Sequence, residues 1–319
     1  MRACCRAVSG SIVVLVVALL PQSSRGAEVG FAQRSDSIVV QVDGRPVAHY
    51  VFRDRRIPRP YFAHVCAPEG TQVTRNHPPV PGKDSTDHDT MHPGIWLAFG
   101  DLSGSDFWRN KARILHHRFV EAPEGESDRG SFAVQNRYLG EDDGAVLCNE
   151  TCRFTFLVRP AGYLLIWDST FGPEKEAFYF GDQEELGLGV RLATPIAVAN
   201  QRGGRIVDSR GRRNEPEVWG KQAEWCDYSG TIDGRRVGIA LMPDPANFRP
   251  CWWHARDYGF MAGNPFGRNA FTGEAPSRVV VEPGESLRLR YGVLIHSDPA
   301  DREPDLGKAY GDFLQLLGA

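Results

Sequence analysis

The chain has 319 residues, with 37 basic against 40 acidic side chains and 41% hydrophobic content. That composition suits one large packed core. The mild acidity, with no basic stripe, argues against nucleic acid or an anionic membrane as partner.

In chain order the first expected element is a signal peptide over residues 1–26. Arg2 and Arg6 make a positive start, an apolar run follows from Ile12 to Leu20, and Ser24 and Gly26 suit the −3 and −1 positions of a cut before Ala27. The run is too short for a bilayer, which needs roughly 20 apolar residues. The expected address is therefore secreted or periplasmic, with no membrane insertion after cleavage. Arg2, Arg6 and Arg25 leave with the signal peptide and no acid does, so the mature chain holds 34 bases against 40 acids. Five cysteines remain: Cys66, Cys148, Cys152, Cys226 and Cys251. They are read mostly as core residues, although Cys148 and Cys152 are spaced to bridge within a turn.

From there strands and turns alternate almost to the end, in one domain over 27–319. Alternating or β-branched runs cover 37–42, 47–52, 112–120, 131–138, 154–158 and 163–167, then 177–180, 189–192, 236–242, 277–281 and 287–295. Asp43-Gly44, Asp143-Gly144, Asp233-Gly234 and Pro283-Gly284 mark the reversals. Only the tail, Asp301 to Leu317, has helical spacing, through Ala309, Phe313, Leu314 and Leu317. Many strands without βαβ alternation predict an all-β chain, a large antiparallel β-sandwich with a short C-terminal helix.

Three stretches hold six of the seven tryptophans and three of the nine histidines, far more than strand-making needs. They are Asp87 to Trp108, Trp219 to Gly230, and Trp252 to Gly267. Four motifs within them occur in order: His88 to Trp96; Gly100-Asp101 to Trp108; Trp219-Gly220-Lys221 with Asp227-Tyr228-Ser229-Gly230; and Trp253-His254-x-Arg256-Asp257-Tyr258 with Asn264-Pro265-Phe266-Gly267. On these motifs the mature chain resembles the PmoA-like family of secreted bacterial proteins, labelled after a methane oxygenase subunit. The resemblance implies a secreted β-rich protein of a kind thought to work on carbohydrates. One form such a sandwich takes is the galactose-mutarotase-like supersandwich. The chain departs from the family's Asp-His-x-His-His pattern, since Asp89, Thr90 and Met91 separate His88 from His92. A membrane subunit of a methane oxygenase would need apolar helices that this chain lacks beyond its signal peptide.

The candidate acid/base groups are His88, His92 and His254, with Asp227 and Asp257 orienting or assisting. His88 and His92 form an H-x3-H pair flanked by carboxylates, a pattern that holds metal mainly on a helix. Here it follows a proline-rich segment and reads as a loop. No cofactor is predicted, and a divalent metal on His88 and His92 is the lesser reading. In a strand, His254 and Arg256 share one side. Lys221, Arg256 and Asn264 would hold hydroxyls or carboxylates, and Trp108, Trp219 and Trp253 would stack sugar rings. Glu184 and Glu185 read first as a solvated loop and second as sugar acid/base groups. No serine nucleophile elbow, phosphate-binding loop, His-Glu-x-x-His or Cys–His nucleophile motif occurs. The leading expectation is general acid/base chemistry on a glycan or modified sugar, by a hydrolase, lyase or epimerase step. The alternatives are glycan binding without catalysis and a metal-dependent oxidoreductase.

Overall fold

The computed structural model describes residues 26–318, so the expected signal peptide lies outside the described residues but for Gly26. Eighteen strands form in this part of the chain. The first nine are β1 (Val29–Gln33), β2 (Ser37–Val42), β3 (Arg45–Val51), β4 (Tyr61–Ala63), β5 (Ile95–Phe99), β6 (Arg113–Glu126), β7 (Arg129–Leu139), β8 (Val146–Arg159) and β9 (Gly162–Pro173). The rest are β10 (Phe178–Phe180), β11 (Leu186–Arg191), β12 (Arg205–Asp208), β13 (Cys226–Ile232), β14 (Arg235–Pro243), β15 (Trp252–Arg256), β16 (Phe260–Asn264), β17 (Val279–Val281) and β18 (Leu287–Pro299). Helices α1 (Asn214–Val218), α2 (Arg268–Thr272) and α3 (Leu306–Gly318) interrupt and close the series.

Two eight-stranded sheets carry the fold, in the orders β1-β2-β3-β4-β5-β11-β16-β15 and β12-β13-β14-β18-β9-β8-β7-β6, with β10 and β17 paired separately. Every paired strand is antiparallel. The hairpins turn where the sequence predicts. Asp43-Gly44 and Asp233-Gly234 both place two successive residues at positive φ (51° and 73°, 49° and 74°). That is the two-residue turn whose twist matches the strands it joins.

The sheets face each other across one shared apolar core. Aromatic contacts cross it, with Tyr50 at 4.8 Å from Phe154, Phe62 at 5.8 Å from Trp167, and Phe99 at 5.5 Å from Phe171. The expected all-β antiparallel sandwich with a C-terminal helix is the fold observed. Helix α3 starts five residues later than its sequence pattern and packs Leu306, Ala309 and Phe313 on the outer face of the second sheet.

Cys148 and Cys152 do not bridge. They lie on the same face of one straight strand rather than in a turn, and four residues of strand span ~13 Å, beyond the ~7 Å Cα separation a disulfide tolerates. All five cysteines among the described residues are free, four of them buried.

The same outer face beneath α3 holds Asp227, which the sequence placed beside His254. Asp227 pairs across from Ala240 on β14. Its neighbour Tyr228 points the other way, into the shared core. Asp227 accepts a hydrogen bond from Ser229 Oγ at 2.7 Å and lies 2.9 Å from His296 Nε2. The two side chains reach over β14 at Gly238, which offers no side chain in between. Burial alone would lower the His296 pKa, but Asp227 and Asp298 outweigh it and raise it to about 9. This stabilisation is complete below pH ~6.5, the range of an unfolded histidine, and is lost as pH rises through 9. A loss on the order of 3 kcal/mol is expected. Melting temperature followed from pH 7 to pH 10 should fall in the native protein and stay nearly flat in Asp227→Asn; equal slopes would contradict the pairing.

Candidate functional site

The outer face of the first sheet is set by register. Leu97, Leu188, Met261, Trp253 and Ala255 belong to the shared core. Alternation along each strand therefore turns their neighbours outward. One cross-strand row runs Trp96, Gly189, Ala262, His254, and the next runs Arg191, Phe260, Arg256. His254 and Arg256 share a side, as the two-residue period requires.

A loop over residues 76–94 folds down onto these rows. His92 stacks on Phe260 at 4.7 Å and on Trp96 at 5.0 Å. His88 stacks on His92 at 4.7 Å and on Tyr258 at 5.8 Å. From the other side His254 meets Phe260 edge-on at 4.9 Å. Phe260 thus joins all three predicted histidines into one cluster. Trp108 closes the pile edge-on to Trp96 at 5.2 Å. Gly189 makes room for it, because a Cβ there would lie 2.8 Å from Trp96 and 2.9 Å from Trp108.

Three buried arginines fasten the covering loops. Arg75 donates to the carbonyls of Ser85, Asp87, His88 and His92. Arg191 pairs with Asp87 at 2.8 Å and lies 4.6 Å over the Tyr258 ring. Arg59 donates to the carbonyls of Phe107, Trp108 and Met91. The H-x3-H segment is a loop, as its prolines predict. One turn, with His92 N–H donating to the His88 carbonyl at 2.9 Å, brings the two rings face to face. Stacked planes do not aim their nitrogens at one point, and His88 Nδ1 is taken by Asp87 at 2.8 Å. Among the described residues no three His, Cys, Asp or Glu side chains gather as a metal site would need.

Beside the pile lies a half-exposed polar strip. His254 donates from Nδ1 to the Glu184 carbonyl at 3.1 Å and accepts at Nε2 from Arg256 Nε at 3.2 Å. Burial first, and then the Arg256 charge, push its pKa down to about 3. The imidazole is neutral at ordinary pH, with its tautomer fixed by those two bonds. His92 is held neutral too, since burial and the charges of Arg191 and His88 keep its pKa well below the usual histidine range. The Glu184 carboxylate sits 3.4 Å from His254 Nε2 and 3.0 Å from Arg256. Burial raises its pKa, and the Arg256 charge opposes part of that rise. Arg256 also grips Glu215 at 2.8 Å and lies 5.5 Å over the Trp219 ring.

The other predicted residues serve this strip differently. Asp257 accepts from the Glu215 N–H and donates its own N–H to the Glu215 carboxylate, both at 2.9 Å. It orients Glu215. Asn264 is fully buried, donating to the Gln183 and Glu184 carbonyls and accepting from the N–H groups of Phe266 and Gly267. It fixes the Glu184 turn rather than a ligand. Lys221 is exposed, and its carbonyl accepts from Trp253 N–H. Trp108 and Trp253 are buried, at 2% and 0% exposure, so neither offers a stacking face; Trp219 is half-buried, with Arg256 over its ring. Asp227 is remote, as described. Glu215, Tyr258 and Phe260 were missed as site residues, and Glu184 was read as loop. The second reading of Glu184, as a sugar acid/base group, is the one that its place in this strip favours.

A family model described as "Family of unknown function (DUF6807)" matches residues 37–305. The chain belongs to this family. The family's description is silent on the PmoA-like resemblance. No curated protein matches the chain. Among solved structures the chain is similar to a galactose mutarotase related enzyme from Lactobacillus acidophilus, at 9% identity and TM-score 0.36, covering 86% of this chain and 99% of that one. A galactose mutarotase-like protein from Clostridium acetobutylicum gives 9% identity, TM-score 0.37 and coverages of 86% and 99%. A candidate kojibiose phosphorylase from the human microbiome gives 6% identity and TM-score 0.37; it is matched over 91% of this chain, which spans only 28% of that protein. At such identities and scores these likenesses carry no argument about activity, which rests on this member's own residues.

The pile makes a direct prediction. Gly189→Ala should cost about 1–3 kcal/mol through overpacking, read by denaturant unfolding, together with a changed near-ultraviolet dichroism from Trp96 and Trp108. Unchanged stability and spectrum would show that the rings do not meet over Gly189.

Proposed function

We propose that this DUF6807 member is an exported, secreted or periplasmic, carbohydrate-active protein that seats a sugar on the strip running from Glu184 through Arg256, Glu215 and Trp219 to Tyr258 and His88. One observation carries the proposal. A carboxyl group with a raised pKa, Glu184, stands against a neutral imidazole and a guanidinium on a face edged by half-open aromatic rings. Carboxylates and guanidinium groups hydrogen-bond vicinal hydroxyls, and Trp219 and Tyr258 offer surfaces for the apolar faces of sugar rings.

In this reading Glu184 moves the proton. A carboxyl whose pKa is raised by burial above the usual carboxylate value is better suited than an exposed one to take a proton from a sugar hydroxyl or return one to a ring or glycosidic oxygen. Neutral His254, its Nε2 lone pair taken by Arg256 Nε, holds the Arg256 guanidinium against Glu184 and does not itself carry the charge. His92 acts only through packing. His88, half-exposed and oriented by Asp87, is the second proton carrier at the far end of the strip. Arg256 positions both Glu184 and Glu215. The PmoA-like resemblance agrees with an exported protein of this kind.

Binding without chemistry is the second reading, favoured by the burial and neutrality of two of the three histidines. The two separate in one experiment. Purified mature protein is incubated with a panel of reducing sugars and oligosaccharides, and products are followed by chromatography. Catalysis predicts turnover that falls ~10²–10⁴-fold in Glu184→Gln with ligand affinity nearly kept. Binding alone predicts no product, affinity indifferent to Glu184→Gln, and affinity lost in Trp219→Ala. Turnover by Glu184→Gln equal to the native protein would sink the catalytic assignment.

A further inference from the structure

On the far side of the His88 loop lies a groove of about 430 Å³ between the segment Phe52–Arg59 and the start of β6. Five arginines line it: Arg53, Arg55, Arg56, Arg59 and Arg113. The one acid in its wall, Asp54, is already engaged, accepting from Tyr61 Oη at 2.6 Å and from the N–H groups of Arg56 and Ile57. His116, also in the wall, adds no charge, because burial and the neighbouring Arg53 lower its pKa to about 4. Arg56 pairs with Asp89 at 2.8 Å. Among the described residues Arg53, Arg55 and Arg113 form no ion pair, and all three are exposed. Arg59 is 3% exposed, and its Nε has no hydrogen-bond partner. In a chain with more acids than bases, three exposed guanidinium groups without an ion-pair partner in one concavity, with the buried charge of Arg59 behind them tied to loop carbonyls, amount to an anion site.

The groove also has an apolar side. Leu115, 42% exposed, lines it together with the buried Phe52 and Ile57. The groove lies across the His88 loop from the candidate site and is tied to that loop, since Arg56 reaches Asp89 beside His88, and Arg59 holds the carbonyls of Met91 and Trp108. A ligand lying across both would set an apolar ring face on Leu115 and an oxyanion among the arginines.

From this placement we infer that the arginine groove is a subsite for an acidic sugar, taking the carboxylate of a uronic acid or the sulfate of a sulfated residue while the neighbouring strip handles the bond. The inference rests on the proposed sugar-handling role and adds its substrate class: an anionic glycan. Guanidinium forks match either oxyanion by paired N–H···O bonds. Binding governed by such contacts weakens as salt screens them.

Titration calorimetry of the mature protein at 50 and 300 mM salt, against an oligogalacturonide, a sulfated oligosaccharide and a neutral oligosaccharide of equal length, tests it. At least one acidic ligand should bind ~10-fold or more tightly than the neutral one at low salt and lose most of that margin at high salt. Arg55→Gln with Arg113→Gln should erase the margin and leave the melting temperature unchanged, because both side chains are exposed. Binding of inorganic sulfate with no glycan bound, or equal affinity for acidic and neutral ligands, or a margin that survives in the double variant, would overturn the subsite. Turnover of neutral glycans that depends on Glu184 but not on these arginines would overturn the subsite and leave the proposed function standing. No binding of any glycan would remove both.

Discussion

The site depends on the stacking of His92 on Phe260. That contact joins a loop without regular structure to the outer face of a sheet, and everything on either side is placed by it. His88 is held by stacking on His92, and His254 by its edge-on approach to the same phenyl ring. Each such aromatic contact is worth about 0.5–1.5 kcal/mol beyond the area it buries. A chain of them, together with the bonds of Arg75 and Arg191, seats a loop that has few backbone bonds of its own. The floor must be flat for the rings to descend, and Gly189 supplies that flatness.

Burying imidazoles and guanidinium groups is expensive unless each is satisfied. Here the cost is met largely by main-chain carbonyls. Arg59 and Arg75 spend most of their donors on the carbonyls of the loops that cover the sheet, and Arg191 is paired with the Asp87 carboxylate of the same loop, so these buried cations act as fasteners. His254 is treated alike, with one nitrogen given to the Glu184 carbonyl and the other to Arg256. The groups left half-open, Glu184, Glu215, Arg256, Trp219, Tyr258 and His88, are those able to meet a solute. Chemistry and scaffold are therefore divided by burial within one small area.

Much of the architecture was legible in the sequence. Alternation, β-branched runs and Asp-Gly turns identify most of the long strands: β6 and β7 alternate buried with more exposed residues over much of their length, and β2, whose bounds match, reads from its β-branched run. Strands β5, β15 and β16 were missed for the opposite reason. Their outward residues, Trp96, His254 and Phe260, are covered by loops, so both faces are buried and the two-residue pattern disappears. The unusual density of His and Trp in these stretches points to His88, His92 and His254 as chemistry, two on a loop and one on β15, while leaving the strand β15 itself without a periodic signal. Asp227 misled because a motif close in sequence to Trp219 crosses to the other sheet. Glu184 and Glu215 come from segments 31 residues apart in the chain and meet only through Arg256, a tertiary fact that no local pattern encodes.

The central claim is that a sugar binds on the outer face of the first sheet, against Glu184 and Arg256. A crystal structure of the mature protein with a bound oligosaccharide tests it most directly. The account predicts sugar density within hydrogen-bonding reach of Glu184 and Arg256, with a ring over Trp219 or Tyr258. Sugar density elsewhere with that strip empty, for instance beneath α3 near Asp227, would contradict it.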